Sequence, residues 1–315
     1  MFWLVVTITA YFLNAIAMVI DKTLLKKEIK NPFVYTFYIA ALGAVLMVFI
    51  VPFGLSWPGW SQLGVSLIAG GTFSIGLFFM FSALKREEAS RLTPMIGGLT
   101  PVFVIFLAYF FLAEFLNQRQ LLGFILIIIG TFLISLDFRY HGAWSWVKTK
   151  VNLEQNISLP HLRRTLWLAL PAAFFFAISN VLTKDVYNHQ PFLSGFIWTR
   201  LGAFIVVLMP MLMRSNRRDL TRQQKDKNTG KAKYRFFFGQ ACGGASSLLV
   251  QYAISIASVT LVQALQGTQY VFVFLIAALL TVNFPRLLSE KMSRQIVTQK
   301  IIAIVLIMSG IYFII

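Results

Sequence analysis

The chain has few of the residues that support catalysis, metal binding or disulfide formation. Its single cysteine, Cys242, excludes an intramolecular disulfide, and its histidines (His141, His161 and His189) are too scattered for the ligand spacing of a metal site. Only 11 residues are acidic, and none lies in the middle of an apolar run. A proton-driven exporter of cations needs such an acid within the membrane. We therefore predict no cofactor, no metal site and no enzymatic activity, and we expect a solute that is neutral, zwitterionic or anionic.

Charged residues as a whole are also scarce, at 12% of the chain against about 25% in a typical soluble protein. Hydrophobic residues account for 58%, and the apolar runs approach the roughly 20 residues that a helix needs to cross a bilayer. A transmembrane barrel would instead show short alternating segments of about ten residues. We predict an all-α integral membrane protein with ten transmembrane helices. The predicted spans are residues 2–20, 33–51, 63–84, 93–116, 120–136, 165–187, 192–213, 236–257, 260–282 and 298–315.

The basic residues predict how the chain is oriented in the membrane. The net charge is +17, but 25 of the 28 Lys and Arg residues lie in odd-numbered loops and only two in even-numbered loops. This split follows the positive-inside rule and is not a nucleic-acid-binding patch. We expect odd-numbered loops in the cytoplasm, both termini outside, and a location in the plasma membrane, which is the inner membrane of a bacterium. The expected partners are a small-molecule substrate and the lipid bilayer, without nucleic acid; we expect a monomer and leave a dimer open.

The two halves of the chain resemble each other in sequence. Asn31-Pro32-Phe33 corresponds to Gln190-Pro191-Phe192, and a glycine follows each proline after eleven residues, at Gly43 and Gly202. An internal repeat in an apolar chain is typical of secondary transporters, which bind their substrate between the repeats. Because each repeat has five spans, an odd number, the second repeat is inverted in the membrane. The predicted units are a first five-helix repeat over 1–136, a cytoplasmic or interfacial connector over 137–164 and a second five-helix repeat over 165–315.

Four further motifs follow one another through the third, fourth and fifth spans. They are an Ala-Leu pair followed by another alanine, a proline, a glutamate and a glycine pair: Ala83-Leu84 with Ala89, Pro101, Glu114, and Gly123 with Gly130. With these motifs the chain resembles the EamA-type branch of the drug/metabolite transporter superfamily. The resemblance implies a ten-helix carrier whose central cavity opens alternately to the two sides. The chain differs from the family in two respects. Ala41 stands where the first half would carry the second-helix arginine, and the charges of the chain place both termini outside.

Arg200 is the position that matches the family's arginine in the second half. It lies nine residues after Pro191, roughly 13 Å along a helix, and a charge at that depth costs at least about 2.5 kcal/mol. One interpretation is an anchor for a substrate carboxylate or phosphate, because the planar guanidinium suits both groups. The other is a structural arginine bonded to helix carbonyls or to a partner side chain. The sequence leaves both interpretations open.

Polar side chains recur at helical spacing in the second half. Gln263, Gln266 and Tyr270 share one face of the ninth span, and Ser247 and Gln251 share a face of the eighth. Amides in lipid are costly unless paired, so these faces should point into the bundle. They either line the substrate site or hydrogen-bond neighbouring helices. The predicted substrate-binding residues are Arg200, Trp198, Thr199, Gln251, Gln263, Gln266, Tyr270, Asn14, Asn180 and Ser247.

Two lysines occupy corresponding positions at the ends of the first and sixth spans. Lys22 and Lys184 would lie near opposite membrane faces, so one hypothesis assigns them to the inner and outer gates, with Asp21 and Asp185 as partners. The alternative is that both lysines extend along the helix ends towards water.

Taken together, the patterns favour a secondary transporter. We expect it to move a small polar metabolite (zwitterionic, neutral or anionic, such as an amino acid or an organic or phosphorylated acid) by alternating access. Two alternatives remain: a flippase for an amphipathic lipid-linked or phosphorylated headgroup, and a membrane sensor that transports nothing. Neither the substrate nor the direction of transport follows from the sequence.

Overall fold

The computed structural model describes residues 1–25, 32–84, 89–135, 159–211, 216, 230–283 and 294–314, and this part of the chain is helical, without strands. A short 3₁₀ helix, Val51–Phe53, follows the second α-helix. The α-helices are α1 (Phe2–Leu25), α2 (Pro32–Ile50), α3 (Trp60–Leu84), α4 (Ala89–Leu112), α5 (Gln118–Ser135), α6 (Leu159–His189), α7 (Phe192–Met211), α8 (Gly230–Ile256), α9 (Val259–Ala264), α10 (Gly267–Asn283) and α11 (Arg294–Ile314).

Most of these helices are suited to a lipid environment. Eight segments are long and apolar enough to cross a membrane, and α5 supplies a shorter apolar segment, Gln118–Ile134. α8 is not among the eight, because its Gly, Ser and Gln residues make it less apolar. The prediction of an all-α, multi-pass membrane protein is confirmed. α6 begins at Leu159, six residues before the predicted start, and continues through Pro171.

The ninth span differs from the prediction of one helix over 260–282. It consists of α9 and α10, which are separated by a turn at Leu265 and Gln266. Ser258 caps the N-terminus of α9, because its hydroxyl accepts a hydrogen bond from the Leu261 N–H at 3.3 Å. α10 begins at Gly267, where any Cβ would collide with Thr131 Oγ1 of α5. The break therefore sits where a residue without a side chain allows α10 to approach α5 closely.

Helices of the two halves pack on each other in reciprocal pairs. α3 packs along α6, while α8, which lies five spans after α3, packs along α1. In the same way α4 packs on α6 and α10 packs on α1, and α5 packs along α11. Small residues bring the last pair together, since an added Cβ at Gly123 would lie 2.6 Å from the Gly310 carbonyl oxygen.

The pair α3 and α7 packs more closely than the corresponding pair, α2 and α8. α3 and α7 pack closely, with a hydrogen bond of 2.9 Å from Ser74 Oγ to the Ala203 carbonyl and with Gly70 against the Thr199 carbonyl. We call this contact the α3–α7 interface. The corresponding helices, α8 and α2, touch little over the described residues, although Gln240 Nε2 reaches Tyr35 Oη at 3.3 Å. We call the space between them the α2–α8 gap.

Candidate substrate site

Arg200 extends from α7 towards helices of both halves. Its Nη2 donates a hydrogen bond to Ser247 Oγ of α8 at 2.6 Å. Its guanidinium carbon lies 5.4 Å from the ring centroid of Phe73 on α3 and 4.9 Å from that of Phe196 on α7. Cation–π contacts of this kind stabilise a guanidinium that has lost part of its hydration. The rings and the hydroxyl thereby fix the position of the cation within the bundle.

Gly43 of α2 faces Arg200. A Cβ added at Gly43 would lie 3.4 Å from Arg200 Cδ and 4.0 Å from Nη1. The missing side chain therefore leaves room for the arginine between α2 and α8. Arg200 remains partly exposed there, so the α2–α8 gap contains a cation supported by residues from both halves.

The charge of Arg200 is not neutralised within the part of the chain that the structure describes. No carboxylate among the described residues forms an ion pair with it. A guanidinium has five N–H donors, and a described side chain receives a hydrogen bond from one of its nitrogens, Nη2. A partly desolvated cation with N–H donors not used by described residues favours an anionic ligand, and a carboxylate or phosphate can accept two parallel hydrogen bonds from it.

Tyr187 and Gln251 form the next polar pair along α6 and α8. Tyr187 Oη donates to Gln251 Oε1 at 3.4 Å, and Gln251 follows Ser247 by one helical turn. Sequence reasoning selected Ser247 and Gln251 but missed Tyr187 and the two phenylalanines at the guanidinium. Aromatic residues form 15% of the chain, so composition did not distinguish them. The available signal was Phe196, which precedes Arg200 by four residues and therefore lies on the same helix face.

Trp198 and Thr199 lie beside Arg200 in sequence but contact α3 and the loop before it. Trp198 Nε1 donates to the Ser56 carbonyl at 3.0 Å, and its ring lies 5.9 Å from that of Trp57. The Thr199 carbonyl faces Gly70, and its hydroxyl donates to the Phe196 carbonyl at 3.0 Å. These contacts place both residues at the α3–α7 interface.

A second polar group surrounds the break between α9 and α10. Gln263 is 4% exposed, Gln266 lies in the turn, and Tyr270 Oη donates to the Thr93 carbonyl of α4 at 2.9 Å. Asn14 Nδ2 of α1 donates to Gln269 Oε1 at 3.0 Å. The structure thus brings four of the predicted residues, Asn14, Gln263, Gln266 and Tyr270, to the broken span. Asn180 lies on α6 and is partly buried, and its role in substrate binding stays a prediction.

Two charged residues near the turn between α8 and α9, Lys184 and Glu114, form hydrogen bonds with the ends of these helices. Lys184 Nζ donates to the Ile254 carbonyl at 3.0 Å, near the C-terminal end of α8. Glu114 accepts hydrogen bonds from Ser258 Oγ at 2.7 Å and from Thr260 Oγ1 at 3.2 Å, at the N-terminal end of α9. Each charge complements the helix dipole it faces. The side chains of Lys22 and Asp21 lie outside the described residues, so the gate hypothesis stays a prediction.

The described residues show no cluster of three or more His, Cys, Asp or Glu side chains that could bind a metal ion. The guanidinium of Arg200, with its hydrogen bond to Ser247 and its two aromatic neighbours, is suited to binding and releasing an anion through hydrogen bonds and charge.

The chain is similar in sequence to proteins described as transporters. The family model described as "EamA-like transporter family" matches residues 1–136 and 163–315. "Uncharacterized transporter YxxF" of Bacillus subtilis (strain 168) is 29% identical over 148 residues, which are 45% of this chain and 42% of that protein. "Probable amino-acid metabolite efflux pump" of Salmonella typhimurium is 28% identical over 181 residues, 56% of this chain and 53% of that protein. The matched region thus spans about half the length of these curated relatives.

The fold is shared with a solved structure described only as "Crystal structure of protein". The similarity has a TM-score of 0.63 and covers 98% of this chain and 94% of the other, at 17% sequence identity. At that identity the similarity establishes the architecture alone.

Proposed function

The chain belongs to the EamA-like transporter family and is a membrane transporter rather than an enzyme, and we propose that it carries a small metabolite with an anionic group by alternating access. The observation that carries this proposal is Arg200, a cation without an acidic partner among the described residues, held in the α2–α8 gap. A carboxylate is the first choice of ligand, because its two oxygens match the guanidinium fork. An amino acid has such a group, and one relative is named as an amino-acid metabolite efflux pump.

The proposed architecture is ten spans arranged as two inverted five-helix repeats. The reciprocal packing of α3 on α6 and of α8 on α1 supports it, as does the pairing of α5 with α11. A pseudo-twofold axis would exchange the members of each pair. In transporters built from inverted repeats, the substrate binds between the repeats, and Arg200 lies where residues of both halves meet.

The proposed transport cycle exchanges the packing of two helix pairs. The α3–α7 interface is tight and continues to the loop before α3, where Ser194 Oγ donates to the Ser56 carbonyl at 3.0 Å. That loop and the turn before α7 carry no basic residue, so the positive-inside rule assigns them to the outer side. By repeat symmetry, the α2–α8 pair would close the opposite, cytoplasmic side. A conformation with α3–α7 packed and α2–α8 apart is then closed outside and accessible from the cytoplasm.

Uptake by the reconstituted protein tests whether Arg200 anchors the substrate. Liposomes containing the parent protein would be offered amino acids, organic acids, phosphorylated metabolites, polyamines and quaternary amines, with Arg200→Gln as the test variant. Arg119→Gln is the matched control, because Arg119 is also an arginine over an aromatic ring, 5.6 Å from the centroid of Tyr312, but is exposed at the start of α5.

We expect an anionic or zwitterionic compound to enter with the parent and with Arg119→Gln and to fail with Arg200→Gln. In detergent, the same compound at a hundred times its dissociation constant should stabilise the parent by about 2.7 kcal/mol. Uptake of cations alone, or equal uptake by the Arg200 variant, would contradict the proposal.

A further inference from the structure

A polar strip leads away from Arg200 along one face of α8. Ser247 Oγ accepts the hydrogen bond from the guanidinium of Arg200 at 2.6 Å. Gln251, one helical turn further along α8, accepts a hydrogen bond from Tyr187 Oη at 3.4 Å. Side chains four residues apart on a helix have Cβ atoms about 5–6 Å apart. A ligand of a few carbon atoms can therefore contact both the guanidinium and the Gln251 amide.

Aromatic rings connect the same two positions through α7 and α6. The guanidinium carbon of Arg200 lies 4.9 Å from the ring centroid of Phe196, which lies 6.0 Å from that of Phe192. The Phe192 ring lies 5.3 Å from that of Tyr187, whose hydroxyl bonds Gln251. The strip thus has apolar rings beside its polar groups, and these rings suit the carbon atoms of a small acid.

The strip contains hydrogen-bond donors that no described residue uses. Gln251 is partly buried, and its Oε1 accepts from Tyr187, but Nε2 has no acceptor among the described residues. The hydroxyl of Ser247 accepts from Arg200 and keeps a proton that it can donate. An oxygen atom of a ligand can satisfy these groups. A hydroxyl group can pair with either end of the Gln251 amide, because it both donates and accepts.

The charged groups beyond Gln251 already bind helix ends. Lys184 Nζ donates to the carbonyl of Ile254, three residues after Gln251, at 3.0 Å. Glu114 accepts hydrogen bonds at the start of α9. Among the described residues, neither a second unpaired cation nor an unpaired acid therefore lies along the strip. Burial of a charge without a partner is costly, whereas a neutral oxygen needs only a hydrogen bond.

We propose that the substrate is an acid with one negative charge and one neutral oxygen, of which a hydroxy acid is the simplest example. Its carboxylate binds Arg200, and its hydroxyl group binds the amide of Gln251. This inference rests on the proposed function and narrows the substrate from anionic metabolites in general to acids whose second polar group is uncharged. Gln251 is then the residue that determines specificity, and Tyr187 is a positioning residue that orients its amide.

The test compares acids that share a carbon skeleton and differ in the second polar group. Calorimetry on the full-length protein in detergent would compare butanoate with 2-hydroxybutanoate, 3-hydroxybutanoate, 2-aminobutanoate and butanedioate. A second series would compare 4-methylpentanoate with its 2-hydroxy and 2-amino derivatives. Gln251→Met keeps the length of the side chain and removes the amide. Gln299→Met is the matched control, because Gln299 also donates its amide across helices, to the Leu133 carbonyl at 2.6 Å, but does so between α11 and α5.

We expect a hydroxy acid to bind the parent and Gln299→Met more tightly than the unsubstituted, amino and dicarboxylic acids of the same skeleton. The gain over the unsubstituted acid should be about threefold to tenfold, the usual effect of one neutral hydrogen bond. Gln251→Met should lose this gain and still bind the unsubstituted acid, whereas Arg200→Gln should lose every acid.

Three results would overturn the inference: no acid binds the parent, another acid of the same skeleton binds as tightly as the best hydroxy acid, or Gln251→Met keeps the parent's preference. The second result is read on the parent alone, so the inference stays refutable even if a variant does not fold. In the second and third cases, loss of the bound acids by Arg200→Gln would leave the proposed function intact. Unchanged binding by Arg200→Gln would refute the function itself.

Discussion

Replacing Gly70 by alanine tests whether the α3–α7 interface is one closed state of a carrier. A Cβ at Gly70 would collide with the carbonyl oxygen of Thr199 and lie 2.6 Å from the backbone nitrogen of Ala203. Both atoms belong to the backbone of α7, so no side chain can rotate to make room. The two helices can accommodate the methyl group only by moving apart.

The expected change in the population of the packed state follows from the free-energy cost of overpacking. An extra methyl group in a close-packed interface costs about 1–3 kcal/mol, and this cost applies only in the state in which α3 and α7 are packed. Since 1.4 kcal/mol is a factor of ten, the packed state should lose population by about fivefold to about 150-fold relative to the separated state. The substitution should therefore shift the carrier towards opening on the side of the α2–α3 loop.

Cysteine labelling measures this shift. Ser66 is fully buried on α3 and accepts a hydrogen bond from Gln190 Nε2 at 2.9 Å. In a Cys242→Ser background, Ser66→Cys should react slowly with a membrane-impermeant maleimide, and Gly70→Ala should accelerate the reaction by the factor above. Gly64→Ala on the same helix is the control, since a Cβ there meets nothing within 4 Å. Equal labelling rates in the two alanine variants would refute the reasoning.

Further substitutions test the turns around the site. Glu114→Ala should lower the melting temperature, because the loss of a cap at a helix N-terminus costs about 0.5–2 kcal/mol. Glu114→Gln should lower the melting temperature less. Equal melting temperatures for the parent and the alanine variant would contradict the capping role of Glu114. Trp198→Phe keeps an aromatic ring but loses a hydrogen bond to the α2–α3 loop, which is worth about 1 kcal/mol. Because this bond stabilises the packed state, its loss should make the Ser66→Cys variant react faster with the maleimide. An unchanged rate would show that the hydrogen bond does not stabilise the α3–α7 interface. Lys184→Gln should keep transport, as expected for a lysine that caps α8; if it and Lys22→Gln both leave the rate and sidedness of liposome uptake unchanged, the gate hypothesis is wrong.

The membrane-spanning helices could be predicted because lipid imposes one requirement over long stretches. Each helix must satisfy its own backbone and present apolar side chains, and this requirement is visible as composition. The break at Leu265 and Gln266 was not predictable in the same way. It coincides with a close approach of Gly267 to Thr131, and nothing in the hydropathy of residues 260–282 reveals that α5 will approach there.

Some residues of the candidate site could likewise be predicted from the sequence, and others could not. Arg200 could be selected because a charge within an apolar run is rare, and Ser247 because it shares a face with Gln251. Of the aromatic neighbours, Phe196 could have been selected by its spacing of four residues from Arg200, whereas Phe73 on α3 differs from the other phenylalanines only in its position in the fold. Residues close in sequence have different neighbours here, because consecutive residues on a helix point about 100° apart. Trp198, close to Arg200 in sequence, donates a hydrogen bond to the α2–α3 loop, and its role in substrate binding stays a prediction.

The unpaired charge of Arg200 has a consequence for the return step of the transport cycle. If α2 and α8 close as α3 and α7 do, Arg200 loses its remaining contact with water, and burial of an unpaired ion costs several kcal/mol. A bound carboxylate would neutralise the guanidinium, so the loaded carrier should close far more easily than the empty one. We therefore expect exchange of labelled for unlabelled substrate across liposomes to exceed net efflux by at least about tenfold. Arg200→Lys should keep this difference at lower affinity, because the charge remains while the fork is lost. Equal rates of exchange and net efflux in the parent would show that the empty carrier returns freely and that the charge is neutralised within the protein itself.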